Sequence, residues 1–223
     1  MSFPRWHVCM TVATTAGTTD SEGSRQMSRL VLCMSMSLDG FIAGPGDTQD
    51  NPFGTGGQRL HDWLGAGGDD MGDYRPAAGP GQTVFDEMAA TGAVITGRRT
   101  GDFTGYWGGD HHDGVPIFVP THQPPASTFP GDVRFVTDGI ESCARQAKAA
   151  AGQRDVLVHG AYTARECLRA GVLDVLEIQL IPVLFGAGRR LFDGLGPDHI
   201  ELRLVRTLES AAAVHLRYEV GSA

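Results

Sequence analysis

Clustered positive charge is the first thing this chain lacks: 18 Lys and Arg stand against 26 Asp and Glu, a formal net charge of -8. Binding nucleic acid or an anionic membrane depends on grouped cations that displace counterions, so the composition weighs against both partners and leaves small molecules as the expected ones. Cysteines are few and far apart: Cys9, Cys33, Cys143 and Cys167 form no C-x-x-C pair. The last three sit in apolar patterns where a thiol behaves as a small hydrophobe, which fits a reducing compartment. No run approaches the roughly 18 to 20 apolar residues needed to cross a bilayer, and the N-terminus carries no apolar secretory stretch. A cytoplasmic protein is expected. No G-x-G-x-x-G follows a strand, which weighs against an ordinary Rossmann cradle. The zinc deaminase signature, H-x-E together with P-C-x-x-C, is absent as well.

What is present suffices for one large domain, since 223 residues with 41% hydrophobic content can enclose a sizeable core. Residues 1–27 are rich in Thr, Ser and Gly without a sustained period, and a disordered arm is expected there. The fold is expected to occupy 28–221. It opens on Leu30-Val31-Leu32-Cys33-Met34, a continuous apolar run typical of a strand buried on both faces. A long loop-rich stretch from Asp39 to Gln82 follows, with one helical signal at Leu60, Trp63 and Leu64. Strands are predicted at Ala93–Thr96, Val115–Val119, Val133–Val136 and Val156–Val158, alternating with amphipathic helices. Asp138 and Glu141 resemble a capping box at the start of one helix, and Gly171 supplies a helix stop. This alternation implies parallel strands joined by right-handed crossovers. Towards the C-terminus, Leu176, Ile178 and Leu180 alternate with Glu177 and Gln179, and a further alternation runs from Val214 to Val220. Both read as half-exposed strands, the last closing an antiparallel hairpin across Glu209-Ser210. A mixed, mostly parallel α/β sheet flanked by helices is the expected architecture.

The chemistry gathers at strand ends. Thr96-Gly97-Arg98-Arg99-Thr100 and His159-Gly160-Ala161-Tyr162-Thr163 are turns that each open a helix, where free N–H groups, hydroxyls and forked guanidinium donors suit phosphate. A third strand ends at Pro120-Thr121-His122, whose hydroxyl and imidazole could touch an adenosine phosphate at the same carboxyl edge. Asp110-His111-His112-Asp113 invites a metal assignment, but adjacent residues on one loop rarely converge on an ion. A solvated loop is expected, and no metal.

Three motifs in order, Ser37-Leu38-Asp39-Gly40-Phe41-Ile42-Ala43, the Thr96–Thr100 turn, and Ile181-Pro182-Val183-Leu184-Phe185-Gly186-Ala187-Gly188, resemble the dihydrofolate reductase-like superfamily. More closely, the chain resembles the reductase domain of riboflavin biosynthesis over residues 28–220. The resemblance implies NADPH bound across the strand ends and hydride transfer to a small, often heterocyclic or phosphoribosyl substrate. It also implies a homodimer, with which the strand at Leu176–Leu180 is compatible. On this reading Thr96, Gly97, Arg98, Arg99 and Thr100 hold cofactor phosphates, Thr121 and His122 lie near the adenosine end, and His159, Gly160, Ala161, Tyr162 and Thr163 cover the pyrophosphate. The family commonly carries paired glycines where this chain has His159-Gly160, so a Cβ now occupies one position. Asp39 is the candidate catalytic residue, to bind a substrate donor or relay a proton, against the alternative of a turn-forming Asp before Gly40. Asp39 and Phe41, with Trp107 as a wall over a planar ring, are the candidate substrate contacts. Alternatives are a non-catalytic nucleotide-binding module or sensor on the same fold, or a true dihydrofolate reductase.

Overall fold

A computed structural model describes residues 28–65 and 74–221. The arm expected at 1–27 lies outside the described residues. The apolar run forms strand β1 (Leu30–Ser37), and its uninterrupted hydrophobicity follows from its place: it pairs in parallel with β6 (Val156–His159) on one side and β7 (Val175–Ile181) on the other. Beyond β6 come β3 (Ala93–Thr96), β4 (Ile117–Pro120) and β5 (Val133–Val136), all parallel. Beyond β7, the antiparallel hairpin of β9 (Leu202–Glu209) and β10 (Val214–Val220) completes an eight-stranded sheet in the order β5-β4-β3-β6-β1-β7-β10-β9. A two-stranded sheet of β2 (Phe41–Ala43) and β8 (Arg189–Arg190), which the sequence pattern does not suggest, ties the first family motif to the last.

Two apolar layers cover the sheet. Leu30, Leu32, Ile95 and Val158 pack under helices α3 (Ile140–Ala151) and α4 (Ala161–Arg169). Cys33, Val94, Leu157 and Ile117 pack under α1 (Pro80–Ala89) and a 3₁₀ segment, Gly57–Leu64, which carries the expected Leu60, Trp63 and Leu64. Truncating a fully buried leucine such as Leu32 to Ala costs about 2 to 5 kcal/mol in cores of this kind. Among the described residues no helix is long and apolar enough to cross a membrane.

Two local expectations are corrected. Asp138 and Glu141 make no capping box: α3 starts from Gly139 at φ 99 with no side-chain cap, and Asp138 instead accepts from Ser142 Oγ at 2.6 Å. The β7 alternation does not mark a half-exposed strand. Glu177 is only 2% exposed and Gln179 is buried, because β7 lies between β1 and β10 with both faces covered. A carboxylate tolerates that place when cations meet it, and Arg217 Nη1 at 3.0 Å and Arg206 Nη2 at 3.3 Å do so.

Candidate functional site

Parallel order sets the carboxyl ends of β4, β3, β6 and β1 side by side, so the turns after them share one edge of the sheet. Thr96 and His159 are direct register partners. Gly97 opens helix α2 (Arg98–Thr104) and Gly160 opens α4, and the two turns interlock. A Cβ on Gly97 would stand 2.7 Å from Thr163 Oγ1, and one on Gly160 would stand 2.9 Å from Thr100 Oγ1. Gly160 also has φ +90, a conformation that an L side chain rarely adopts.

Between these turns, Thr96 is 0% and Thr163 1% exposed, yet neither Oγ1 has a hydrogen-bond partner. Leaving a buried hydroxyl unpaired costs about 1 to 3 kcal/mol, and Ser28, His61 and His215 carry buried unpaired atoms elsewhere in the molecule. The N-terminus of α4 has no side-chain cap, which leaves its first N–H groups without a side-chain acceptor. Ala161 is buried at that terminus and Tyr162 is exposed beside it.

The two arginines behave differently. Arg98 Nη1 donates to Gln123 O at 2.8 Å and Nη2 reaches Asp102 at 3.3 Å, while its Nε is buried without a partner. Thr121 Oγ1 donates to the same Gln123 O, so Arg98 ties the turn after β3 to the turn after β4, where His122 is exposed. Arg99 is committed elsewhere: its Nε and Nη2 bond Asp47 at 3.1 and 2.7 Å. Asp47 is gripped a second time by Arg189 at 2.8 Å. Burial alone would raise the Asp47 carboxyl, but Arg99 and Arg189 more than offset it and hold it below the usual range. This clasp fastens the loop after β2 to α2 and β8, and sequence reading missed it because Asp47 carries no motif.

Asp39 is also a clamp. Its carboxylate accepts from Ser37 Oγ at 2.6 Å, from the Phe185 amide at 3.1 Å and from the Gly186 amide at 2.7 Å. The bond from Ser37 and the two backbone amides lower its pKa to about 2, so it is ionised at neutral pH with its lone pairs engaged. Phe41 is 4% exposed and lies beneath the Arg190 guanidinium, which is 4.3 Å from its ring centroid. It offers a ligand little surface. Trp107, by contrast, reaches the β6 end, its ring centroid 5.7 Å from that of His159 and 4.6 Å from that of His111.

The loop expected to be solvated is so only in part: Asp110 and Asp113 are exposed, but His111 is 2% exposed. Positive φ at Tyr106, Trp107 and Gly108 reverses the chain after α2 and folds the loop inward. There His112 Nδ1 lies 2.7 Å from His111 Nδ1, and His111 Nε2 lies 3.0 Å from His159 Nε2. The rings follow one another in a line, and among the described residues no group of His, Cys, Asp or Glu is arranged to hold a metal ion.

A cavity of about 640 Å³ lies away from these turns, on the α1 face, lined among others by Arg29, Glu87, Glu177, Arg206 and Arg217. Its charged groups mostly pair with one another, as in Arg206 with Glu87 at 2.5 Å.

A mixed sheet of this order, with interlocked phosphate-competent turns at adjacent parallel strand ends, defines a dihydrofolate reductase-like reductase domain. The chain belongs to the RibD C-terminal domain family, whose match spans residues 28–216. Among solved structures it is similar to a putative riboflavin biosynthesis protein from Shewanella sp. PV-4, at 20% identity and TM-score 0.62, covering 87% of this chain and 99% of that one. It is also similar to the Thermotoga maritima diaminohydroxyphosphoribosylaminopyrimidine deaminase/5-amino-6-(5-phosphoribosylamino)uracil reductase, at 15% identity and TM-score 0.61. That match covers 89% of this chain and 58% of the bifunctional one, so the chain spans little more than half of its length. An Enterococcus faecalis dihydrofolate reductase complexed with NADP(H) and RAB-propyl matches at 16% identity and TM-score 0.50, covering 86% of this chain and 96% of that one. No curated protein matches the chain in sequence.

Proposed function

We propose that this protein is an NADPH-dependent reductase delivering hydride to a carbon–nitrogen or carbonyl double bond of a small heterocyclic or phosphoribosyl-type substrate, as in 5-amino-6-(5-phosphoribosylamino)uracil reduction. The observation that carries this reading is the pair of buried, partnerless hydroxyls of Thr96 and Thr163 between interlocked glycine turns at neighbouring strand ends. Those residues fit a dinucleotide phosphate: hydroxyl donors that lack an acceptor, a glycine at φ +90 and an uncapped helix start all favour anionic oxygen.

NADPH, when bound, supplies the hydride, and the protein contributes orientation and electrostatics. Thr96, Gly97, Thr100, Gly160, Ala161, Tyr162 and Thr163 would hold the pyrophosphate. Arg98, Thr121 and His122 stand on the β4 side, towards the adenosine end. Arg99 serves indirectly, by securing the Asp47 loop. Trp107 walls the cleft beside His159. Asp39, ionised and occupied, holds the backbone of Phe185 and Gly186 against the β1 end, and the proton that completes reduction comes from water. A homodimer belongs to the same proposal. Its surface is not the covered β7 but the outer strand β9, where Leu202, Leu204 and Val205 are exposed.

Titration with NADPH, followed by nicotinamide fluorescence, tests the reading. Binding in the micromolar range is expected, and Arg98→Ala should weaken NADPH more than NADH if that side chain reaches the 2′-phosphate. Failure to bind NADPH overturns the proposal. Binding without oxidation across a broad substrate panel would favour a sensor, the reading that His159 in place of a family glycine motivates.

A further inference from the structure

Three imidazoles and a threonine form one continuous hydrogen-bonded line that ends at the proposed cleft, and the tautomer of each ring can be deduced from its far end. Thr91 Oγ1 donates its only proton to Met88 O at 2.8 Å. His112 Nε2 lies 3.1 Å from both that Oγ1 and the Thr91 carbonyl, two atoms left able only to accept. His112 Nε2 therefore carries the proton, and neutral His112 presents Nδ1 as an acceptor. Across the 2.7 Å contact His111 Nδ1 must donate, which leaves His111 Nε2 bare. Across the 3.0 Å contact His159 Nε2 must donate in turn, which leaves His159 Nδ1 bare. Among the described residues no hydrogen bond engages that nitrogen.

The rings are held neutral. Burial lowers His111 well below the ordinary imidazole range, and burial, then His112 and His61, lower His159 to about 4. His112 is lowered too, chiefly by burial, with Asp110 and Asp113 raising it and Arg154 opposing them. Trp107 closes over His111 and His159.

We propose that Thr91, His112, His111 and His159 form a tautomer-locked chain that presents the bare Nδ1 of His159 to the cleft as a hydrogen-bond acceptor, a specificity-determining residue for a neutral donor on the bound ligand. A lone pair there repels a phosphoryl oxygen and welcomes an N–H or O–H. The phosphates are thereby confined to the Thr96 and Thr163 side of the β6 end, and the group meeting His159 is a carboxamide N–H or a sugar hydroxyl of the dinucleotide. The chain of protons stands on this protein's own geometry; the identity of the donor rests on the cofactor reading above.

The test is histidine ring ¹⁵N–¹H correlation spectroscopy on the full chain at neutral pH. Without ligand, His112 and His159 should show the Nε2–H form and His111 the Nδ1–H form. An Nδ1–H form or a cation at His159 overturns the proposal. His112→Phe removes the anchor, so His159 should lose its single tautomer and show a mixture; an unchanged Nε2–H signature would also overturn it. Added NADP⁺ should shift the Nδ1 resonance of His159 while leaving Nε2 protonated. Nicotinamide mononucleotide and 2′,5′-ADP, tried separately, show which half supplies the donor. His159→Phe should weaken NADP⁺ about two- to tenfold, the contribution of one neutral hydrogen bond. NADP⁺ binding that leaves Nδ1 unmoved, or that is as tight in the Phe variant, removes the acceptor role. The stated tautomers in a protein that binds no NADP⁺ would instead remove the cofactor reading and leave the locked chain standing.

Discussion

Two polar regions of this molecule lie on opposite parts of one sheet and treat their polar groups in opposite ways. Around the cavity beside α1, Glu177, Glu87, Arg206 and Arg217 answer one another, each carboxylate reached by both arginines. Among the buried atoms of that cluster, Glu177 Oε1 and Arg206 Nε lack a protein partner, and they belong to residues otherwise paired beside the cavity. At the carboxyl ends of β3 and β6, the Thr96 and Thr163 hydroxyls have no partner at all. The first region is largely self-paired and ties α1 to the C-terminal hairpin. The second leaves two buried hydroxyls unanswered within the protein. The cavity belongs to the self-paired cluster, whereas the two unpaired hydroxyls stand at the strand ends where the proposed cofactor would lie.

Removing one charge from the self-paired cluster has the largest consequence for stability. Glu177→Ala should destabilise the protein by about 1 to 3 kcal/mol, because Arg206 and Arg217 lose their buried carboxylate partner and keep only the half-exposed Glu87, while leaving the NADPH dissociation constant of the folded protein unchanged. Denaturant unfolding together with fluorescence titration checks both halves. Thr163→Val makes the reciprocal cut. Its hydroxyl bonds nothing within the protein, so stability should hold within about 0.5 kcal/mol while NADPH affinity falls about tenfold, the result of losing roughly 1.4 kcal/mol.

Asp39→Asn asks whether the β1 end is a clamp or a proton source. A general acid typically contributes about 10² to 10⁴ in rate, so a fall in kcat of less than about tenfold marks the clamp, and a loss of hundreds-fold would restore the proton relay. The smallest effect concerns pH. His61 and His159 both have folded pKa values lowered to about 4, chiefly by burial, against roughly 6.5 in an unfolded chain. Between those values the unfolded state binds more protons, so stability rises with pH across that window and is lost as pH falls through it. The Tm should drop by several degrees from pH 7 to pH 5, and His159→Phe should flatten that slope.

Much of the architecture was legible in the chain itself. Leu30–Met34 read as a doubly covered strand and is one, since only a central parallel strand tolerates so unbroken an apolar run. The Thr96–Thr100 and His159–Thr163 turns were visible because glycine after a β-rich segment and before a helical one has few other uses. Their mutual contact was not visible, because Gly97 meets Thr163 across a long stretch of sequence. Glu177 misled the alternation argument for a related reason: a polar residue at period two predicts solvent unless distant arginines meet it, and Arg206 and Arg217 come from a hairpin still to follow. Arg98 and Arg99 looked equivalent as neighbours. Asp47, more than fifty residues earlier in the chain, made them different.

The amino-acid order alone determined the class of fold, the strand ends that open into glycine turns and the family resemblance, because these depend on local periodicity and short motifs. Tertiary structure alone decided which polar atoms end unpaired, which carboxylates are clamps, and that His111, His112 and His159 form a single line of protons. Hydrogen bonds reach about 3 Å and take no account of separation along the chain, so partnership is a property of the folded arrangement.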